Sequence, residues 1–174
     1  SGSLTGREQR AKTTVCPLPS YLCSVRCSVS SILNPAVPTT IDIPVLLDRL
    51  CYRHPSLLID GATEHDPGKR LVAFKSVTVN EDFFQGHFPG VPLMPGVLML
   101  ETLTQAAAAL LLDREGPMPM SRVYLHGVDG AKFRRQVVPG DRLRLEVTLD
   151  RARTTLARVR AVAYVGEQIV AEAN

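Results

Sequence analysis

Between residues 142 and 149, Leu143, Leu145, Val147 and Leu149 alternate with Arg142, Arg144, Glu146 and Thr148. A period of two predicts a strand with one face in the core and one toward water. Two more strands are expected, at about 156–165 and 168–173, with Gly166-Glu167 suited to the two-residue turn between them. Upstream, a turn through Asp66-Pro67-Gly68 leads into Leu71 to Val79, a β-branched and aromatic run that also predicts a strand. Ile43, Leu46, Leu47 and Leu50 recur at helical spacing and predict a short amphipathic helix. The long helix is expected from Pro95 to Leu112: proline suits a first helical turn, good helix formers follow, and Gly116-Pro117 stops the run. One long apolar helix and a series of antiparallel strands, without strand–helix–strand alternation, predict an α+β domain whose sheet wraps a helix.

A helix that is apolar nearly all round is either buried or membrane-spanning. Glu101, Thr102, Thr104 and Gln105 lie near its middle, and its length only just approaches the roughly 20 residues that a bilayer requires. Burial is therefore expected, and no membrane association. The 174 residues, 45% of them hydrophobic, suffice for one ordinary core. The net charge of +3 is concentrated in the first 40 residues, where Arg7, Arg10, Lys12 and Arg26 face Glu8 alone. Those residues are rich in Ser, Thr and Pro and lack a sustained period, so residues 1–40 are expected to form a flexible basic arm and 41–174 the folded domain. The arm has the composition of an organelle transit peptide, or equally of an extension without function, with Ser1-Gly2-Ser3 resembling a cloning remnant. The last strand is expected to run somewhat beyond Asn174.

Nucleic-acid binding is not expected, for the chain has no long basic stripe, few aromatic residues and no recognition motif. Cys16, Cys23, Cys27 and Cys51 lack the paired spacing of a zinc site and give the body no disulfide framework, which points to a reducing compartment and to no metal. His54, His65, with its place in a polar turn, and His126 are given no role.

Chemistry is concentrated around the start of the long helix. His87 lies in Gln85-Gly86-His87-Phe88-Pro89-Gly90, an apolar loop, and an imidazole there can accept a proton near neutral pH. Glu101, amid Leu98, Met99, Leu100 and Leu103, loses solvation of its charged form, which suits a proton donor. The two form a candidate acid/base pair, and Gln105, one turn beyond Glu101, is expected to hold or orient a polar group beside them.

These residues belong to two ordered blocks. Asn80-Glu81, Phe83-Phe84-Gln85-Gly86-His87-Phe88-Pro89-Gly90, Pro92, Met94-Pro95-Gly96-Val97, Glu101 and Gln105 make up the first. Gly127-Val128-Asp129, Ala131-Lys132-Phe133-Arg134-Arg135 and Val137-Val138-Pro139-Gly140-Asp141 make up the second. Together they resemble the FabZ-type (3R)-hydroxyacyl-acyl carrier protein dehydratases from about residue 42 to the end. The chain departs from that pattern where the family usually has Pro-His-Arg-Tyr-Pro-Phe-Leu-Leu: it has Cys51-Tyr52-Arg53-His54-Pro55-Ser56-Leu57-Leu58, with His and Tyr exchanged. Asp82 also stands where the family usually has proline.

The resemblance implies a hot-dog fold, an antiparallel sheet around a long central helix. It implies His87 as base and Glu101 as acid in the dehydration of a β-hydroxyacyl carrier-protein thioester during fatty-acid elongation. Glutamate rather than aspartate in the acid position points to the plain dehydratase rather than to the related enzyme that also isomerises the double bond. The backbone N–H groups of Gly96 and Val97, at the positive end of the helix, would receive charge developing on the thioester carbonyl, with Gly96 letting that carbonyl approach. Phe88 and Gln105 would help to bind substrate. Tyr124 resembles the residue that gates the acyl channel, or is a core tyrosine with its hydroxyl paired. The implied partners are acyl carrier protein, which Lys132, Arg134 and Arg135 could attract, and a second copy of the chain, with His87 of one subunit facing Glu101 of the other and dimers able to assemble into hexamers. No cofactor is implied beyond the phosphopantetheine arm of the substrate. The location implied is cytoplasmic, or an organelle such as the plastid if the arm is a transit peptide. Two other readings are a hot-dog thioesterase, in which Glu101 activates water, and a carrier-protein-binding module without turnover.

Overall fold

A computed structural model describes residues 40–112, 123–153 and 155–174, all within one compact unit, Ala36–Asn174. The expected arm of residues 1–40 falls outside the described residues except for Thr40, as does the Gly116-Pro117 helix stop.

Helix α1 (Ile43–Arg49) opens the described chain and buries Leu46, with Leu50 just beyond its end. Strands β1 (Gly61–Asp66) and β2 (Arg70–Ser76) pair antiparallel. A 3₁₀ turn over Asp82–Gln85 and the histidine loop lead to helix α2 (Gly96–Leu112). Strands β3 (Lys132–Phe133), β4 (Arg142–Ala152), β5 (Ala157–Val165) and β6 (Gln168–Ala173) follow. The six strands form one antiparallel sheet in the order β1-β2-β4-β5-β6-β3.

The alternation seen in the sequence is that of the structure: Leu143, Leu145 and Val147 are buried on the inner face of β4. Helix α2 lies against β2, β4, β5 and β6. Ala106 and Ala109 on the helix and Ala73, Ala163 and Ala171 on the strands are fully buried, and their small side chains let helix and sheet approach closely. Met99, Leu103 and Leu110 complete the core with Leu71 and Val170. Two hydroxyls within the helix bond to carbonyls one turn back, Thr102 Oγ1 to Leu98 O at 2.6 Å and Thr104 Oγ1 to Leu100 O at 2.9 Å. No helix among the described residues is long and apolar enough to cross a membrane.

Three elements differ from expectation. Strand β1 was not signalled, because it is an edge strand of sequence Gly-Ala-Thr-Glu-His-Asp whose exposed positions are polar. His65 accordingly lies in that strand, opposite Leu71, and not in a polar turn. Strand β2 ends at Ser76 rather than at Val79, since the Val77 backbone bonds instead to Gly140 and Asp141 in the turn before β4. Pro95 is the residue before the helix, its carbonyl accepting from Leu98 N at 3.0 Å and Met99 N at 3.2 Å.

Candidate active site

His87 is held from both sides of its loop. Its backbone N–H donates to Phe83 O, at the 3₁₀ turn, and its carbonyl accepts from Leu93 N, both at 3.0 Å. The Phe88 ring stacks on the imidazole with centroids 4.0 Å apart. Imidazole Nδ1 lies 2.7 Å from Leu93 O. A carbonyl oxygen only accepts, so Nδ1 carries the hydrogen and the neutral ring has its lone pair on Nε2. The backbone thus selects the tautomer in which Nε2 is free to accept a proton.

Glu101 projects from the second turn of α2, five residues past Gly96 and roughly 7.5 Å along the axis at the usual rise. Its half-buried side chain is bounded by polar groups as well as by the expected leucines. Gln105 Nε2 donates to Glu101 Oε1 at 2.9 Å and to Ser56 O at 2.7 Å, while Gln105 Oε1 accepts from Leu58 N at 2.8 Å. That amide is completely buried and every bond it makes is directional, so it fixes one carboxylate oxygen against the segment before β1. Burial, together with the Glu101 charge, pushes the Tyr52 phenol above its ordinary range.

At the helix start, the N–H groups of Gly96 and Val97 have no acceptor among the described residues, as the first turn of a helix dictates. Val97 is 70% exposed. A side chain at Gly96 would put its Cβ 3.0 Å from the Phe133 ring. The space left by the missing side chain is therefore filled by Phe133, and it is the N–H that stays open.

Tyr124 is 76% exposed in the single chain. With Tyr52, Leu50, Ala108, Leu112 and Val123 it lines a cavity of about 200 Å³ beside α2. Phe88 is exposed, as a loop residue open to a substrate would be. Lys132 and Arg134 pair with Glu172, at 3.8 and 2.5 Å, and Arg135 with Asp141 at 3.3 Å, so part of the expected basic surface is internally neutralised. Among the described residues no group of His, Cys, Asp and Glu could hold a metal ion. Nor does any hydrogen bond join His87 to Glu101 within the described chain: the partners of His87 are Leu93, Phe83 and Phe88, and the side chain of Glu101 is bonded by Gln105.

A family model for the FabA-like domain matches residues 50–174. The protein named 3-hydroxyacyl-[acyl-carrier-protein] dehydratase FabZ of Caulobacter vibrioides is 46% identical over 144 residues, which span 80% of this chain and 88% of that protein. The FabZ of Bordetella pertussis is 48% identical over 139 residues, 77% of this chain and 92% of its own. The chain belongs to the FabZ-type dehydratases of the FabA-like family. Among solved structures, the dehydratase heterocomplex ApeI:P from Xenorhabdus doucetiae superposes with a TM-score of 0.59 at 12% identity, over 74% of this chain and 86% of that one. PH1136 from Pyrococcus horikoshii gives 0.53 at 18%, over 72% and 86%. At such identities these two show the fold, and the fold is the hot-dog.

Of the residues that sequence singled out, Gln105 and Glu101 are joined directly, Gly96 and Val97 present free N–H groups, and His87 is fixed with Nε2 available. The influence of Glu101 on Tyr52 was missed. Its signal was the exchange of His and Tyr in the segment 52–54, which reads first as a packing change.

Proposed function

We propose that the chain dehydrates a (3R)-hydroxyacyl carrier-protein thioester to the trans-2-enoyl product, with His87 as base and Glu101 as acid. Family membership supports the reaction. The hydrogen bond from His87 Nδ1 to Leu93 O carries the assignment of the base, because it leaves Nε2 free to take a proton. In the forward direction the C2–H bond breaks and its proton passes to Nε2. The electron pair forms the C2=C3 double bond as the C3–O bond breaks, and the departing oxygen leaves as water with the proton of Glu101. Proton exchange with solvent resets both groups. Charge that develops on the thioester oxygen is received by the open N–H groups of Gly96 and Val97, at the positive end of α2. The reaction uses the phosphopantetheine arm carried by the substrate and calls for no further group.

His87 and Glu101 have separate sets of partners within one chain, which supports a site shared between two copies, His87 of one meeting Glu101 of the other. Exposed Phe88, Val91 and Val97 beside the site and Tyr124, Leu125 and Val128 nearby would be covered in such a dimer. The carrier protein would meet the charges of Lys132, Arg134 and Arg135 by long-range attraction, reduced by their pairing with Glu172 and Asp141. The bacterial source of the relatives favours a cytoplasmic setting.

The test follows the conjugated-enoyl absorbance of a crotonoyl thioester, on carrier protein or on coenzyme A. Loss of absorbance with formation of the hydroxyacyl thioester, the thioester bond staying intact, is the expected result. Release of free thiol and acid would instead assign a thioesterase, and tight binding without turnover a carrier-binding module.

A further inference from the structure

We propose that the ion pair of Lys75 with Glu81 is a positioning device for His87: it ties the loop of the base to the sheet, so that the imidazole stays on Leu93 O with Nε2 open. The inference rests on the reading of His87 as the base.

Leu71, Ala73 and Lys75 fall on one face of β2, opposite Val147, Leu145 and Leu143 of β4, all of them buried. An ammonium group on that face has little water around it, and its attraction to a carboxylate is weakly screened. Lys75 Nζ meets Glu81 Oε1 at 2.5 Å, while Glu81 itself stays partly exposed. The 3₁₀ turn starts from Glu81, whose carbonyl accepts from Phe84 N at 3.1 Å and whose N–H donates to Thr78 O at 3.3 Å. Within the turn, the Phe83 ring packs on buried Phe84 with centroids 4.5 Å apart, and Phe83 O accepts from His87 N at 3.0 Å. One short turn of chain thus separates the carboxylate held by Lys75 from the base.

The far end of the loop is fixed independently. Buried Met94 donates its N–H to Val137 O at 2.8 Å. The turn after Val137 is closed on the sheet by Val138 N to Asp141 Oδ2 at 3.1 Å and Val77 N to Asp141 O at 3.0 Å. Leu93, whose carbonyl lies 2.7 Å from Nδ1, belongs to this end. The bond that selects the tautomer therefore runs between two anchorages, the imidazole on the Lys75 side and its acceptor on the Val137 side. A shift of one against the other lengthens that bond. A ring released from Leu93 O can carry its hydrogen on Nε2, where it no longer accepts a proton.

The test compares full-length proteins on crotonoyl thioester: unaltered, Glu81→Gln, Lys75→Met, both together, and Gly166→Ala as a destabilised variant altered in a distant turn. Glu81→Gln leaves a buried cation, whereas Lys75→Met leaves a carboxylate that reaches water, so the two differ in stability but lose the same tether. Each is expected to lower kcat about 10- to 100-fold, the range for a misplaced catalytic group, with KM changed by less than about twofold. The double variant is expected to be no slower than the slower single one, as for two residues that act as one unit. Nitrogen NMR spectra of neutral His87 are expected to show hydrogen on Nδ1 in the unaltered protein and in Gly166→Ala, and both tautomers in the other variants. Unchanged kcat in the two single variants, losses that add in the double variant, an equal loss in Gly166→Ala, or a ring that keeps its hydrogen on Nδ1 throughout would overturn the proposal. Full activity in His87→Ala would instead remove the base assignment first, and the catalytic role of the pair with it.

Discussion

Gln105 is a buried primary amide with no bonding capacity left over on its nitrogen, and that explains its presence in a helix rich in alanine and leucine. Substitution by leucine leaves Leu58 N–H and Ser56 C=O without partners in a dry environment. Gln105→Leu is therefore expected to lower unfolding stability by about 3 kcal/mol, measured by urea denaturation, and to lower kcat as Glu101 loses its anchor. A change below about 0.5 kcal/mol would mean that these groups find other partners. Tyr52 gives a pH prediction. Its folded pKa is raised above the ordinary 10.0, so its contribution is fully present below pH 10 and is lost as pH rises through the folded value. Unfolding free energy from urea denaturation should show no loss attributable to Tyr52 up to pH 10, and Tyr52→Phe should lack the part of any decline above it that this phenol causes. Gln105 was legible because a polar residue one turn from a carboxylate in an apolar run has few other uses. The effect of Glu101 on Tyr52 was not, since the two lie 49 positions apart and spacing says nothing about such a relation.

At the scale of elements, legibility followed the period. Strands β4, β5 and β6 and both helices were readable because each buries one face against the other layer. Strand β1, polar and at the edge, and the two-residue β3 carry too little pattern to be seen. Gly166 in the β5–β6 turn has φ of +56°, where a side chain is strained. Gly166→Ala is expected to cost about 1 kcal/mol, read from thermal unfolding, with kcat unaffected. The histidine loop has a different support: Lys75, buried in β2 and 3% exposed, pairs with Glu81 at 2.5 Å, just before the 3₁₀ turn that leads to His87. Removal of one partner leaves a buried cation uncompensated. Glu81→Gln should cost about 2 kcal/mol, below the usual value for a buried pair because Glu81 is itself partly exposed, and an unchanged melting temperature would show that Lys75 reaches water.

For the whole molecule, the separate partners of His87 and Glu101 within one chain support the proposed site shared between two copies, and exposed apolar side chains around the helix start point the same way. The most direct test mixes two inactive proteins, His87→Ala and Glu101→Gln, after dissociation and reassociation, and follows crotonoyl thioester hydration. If each site takes His87 from one subunit and Glu101 from the other, half of the randomly formed dimers are mixed and each has one intact site of two. The account predicts negligible activity from either variant alone and about a quarter of the unaltered activity from the equimolar mixture. Full activity in either variant alone, or a mixture as inactive as its components although mixed dimers have formed, would contradict it.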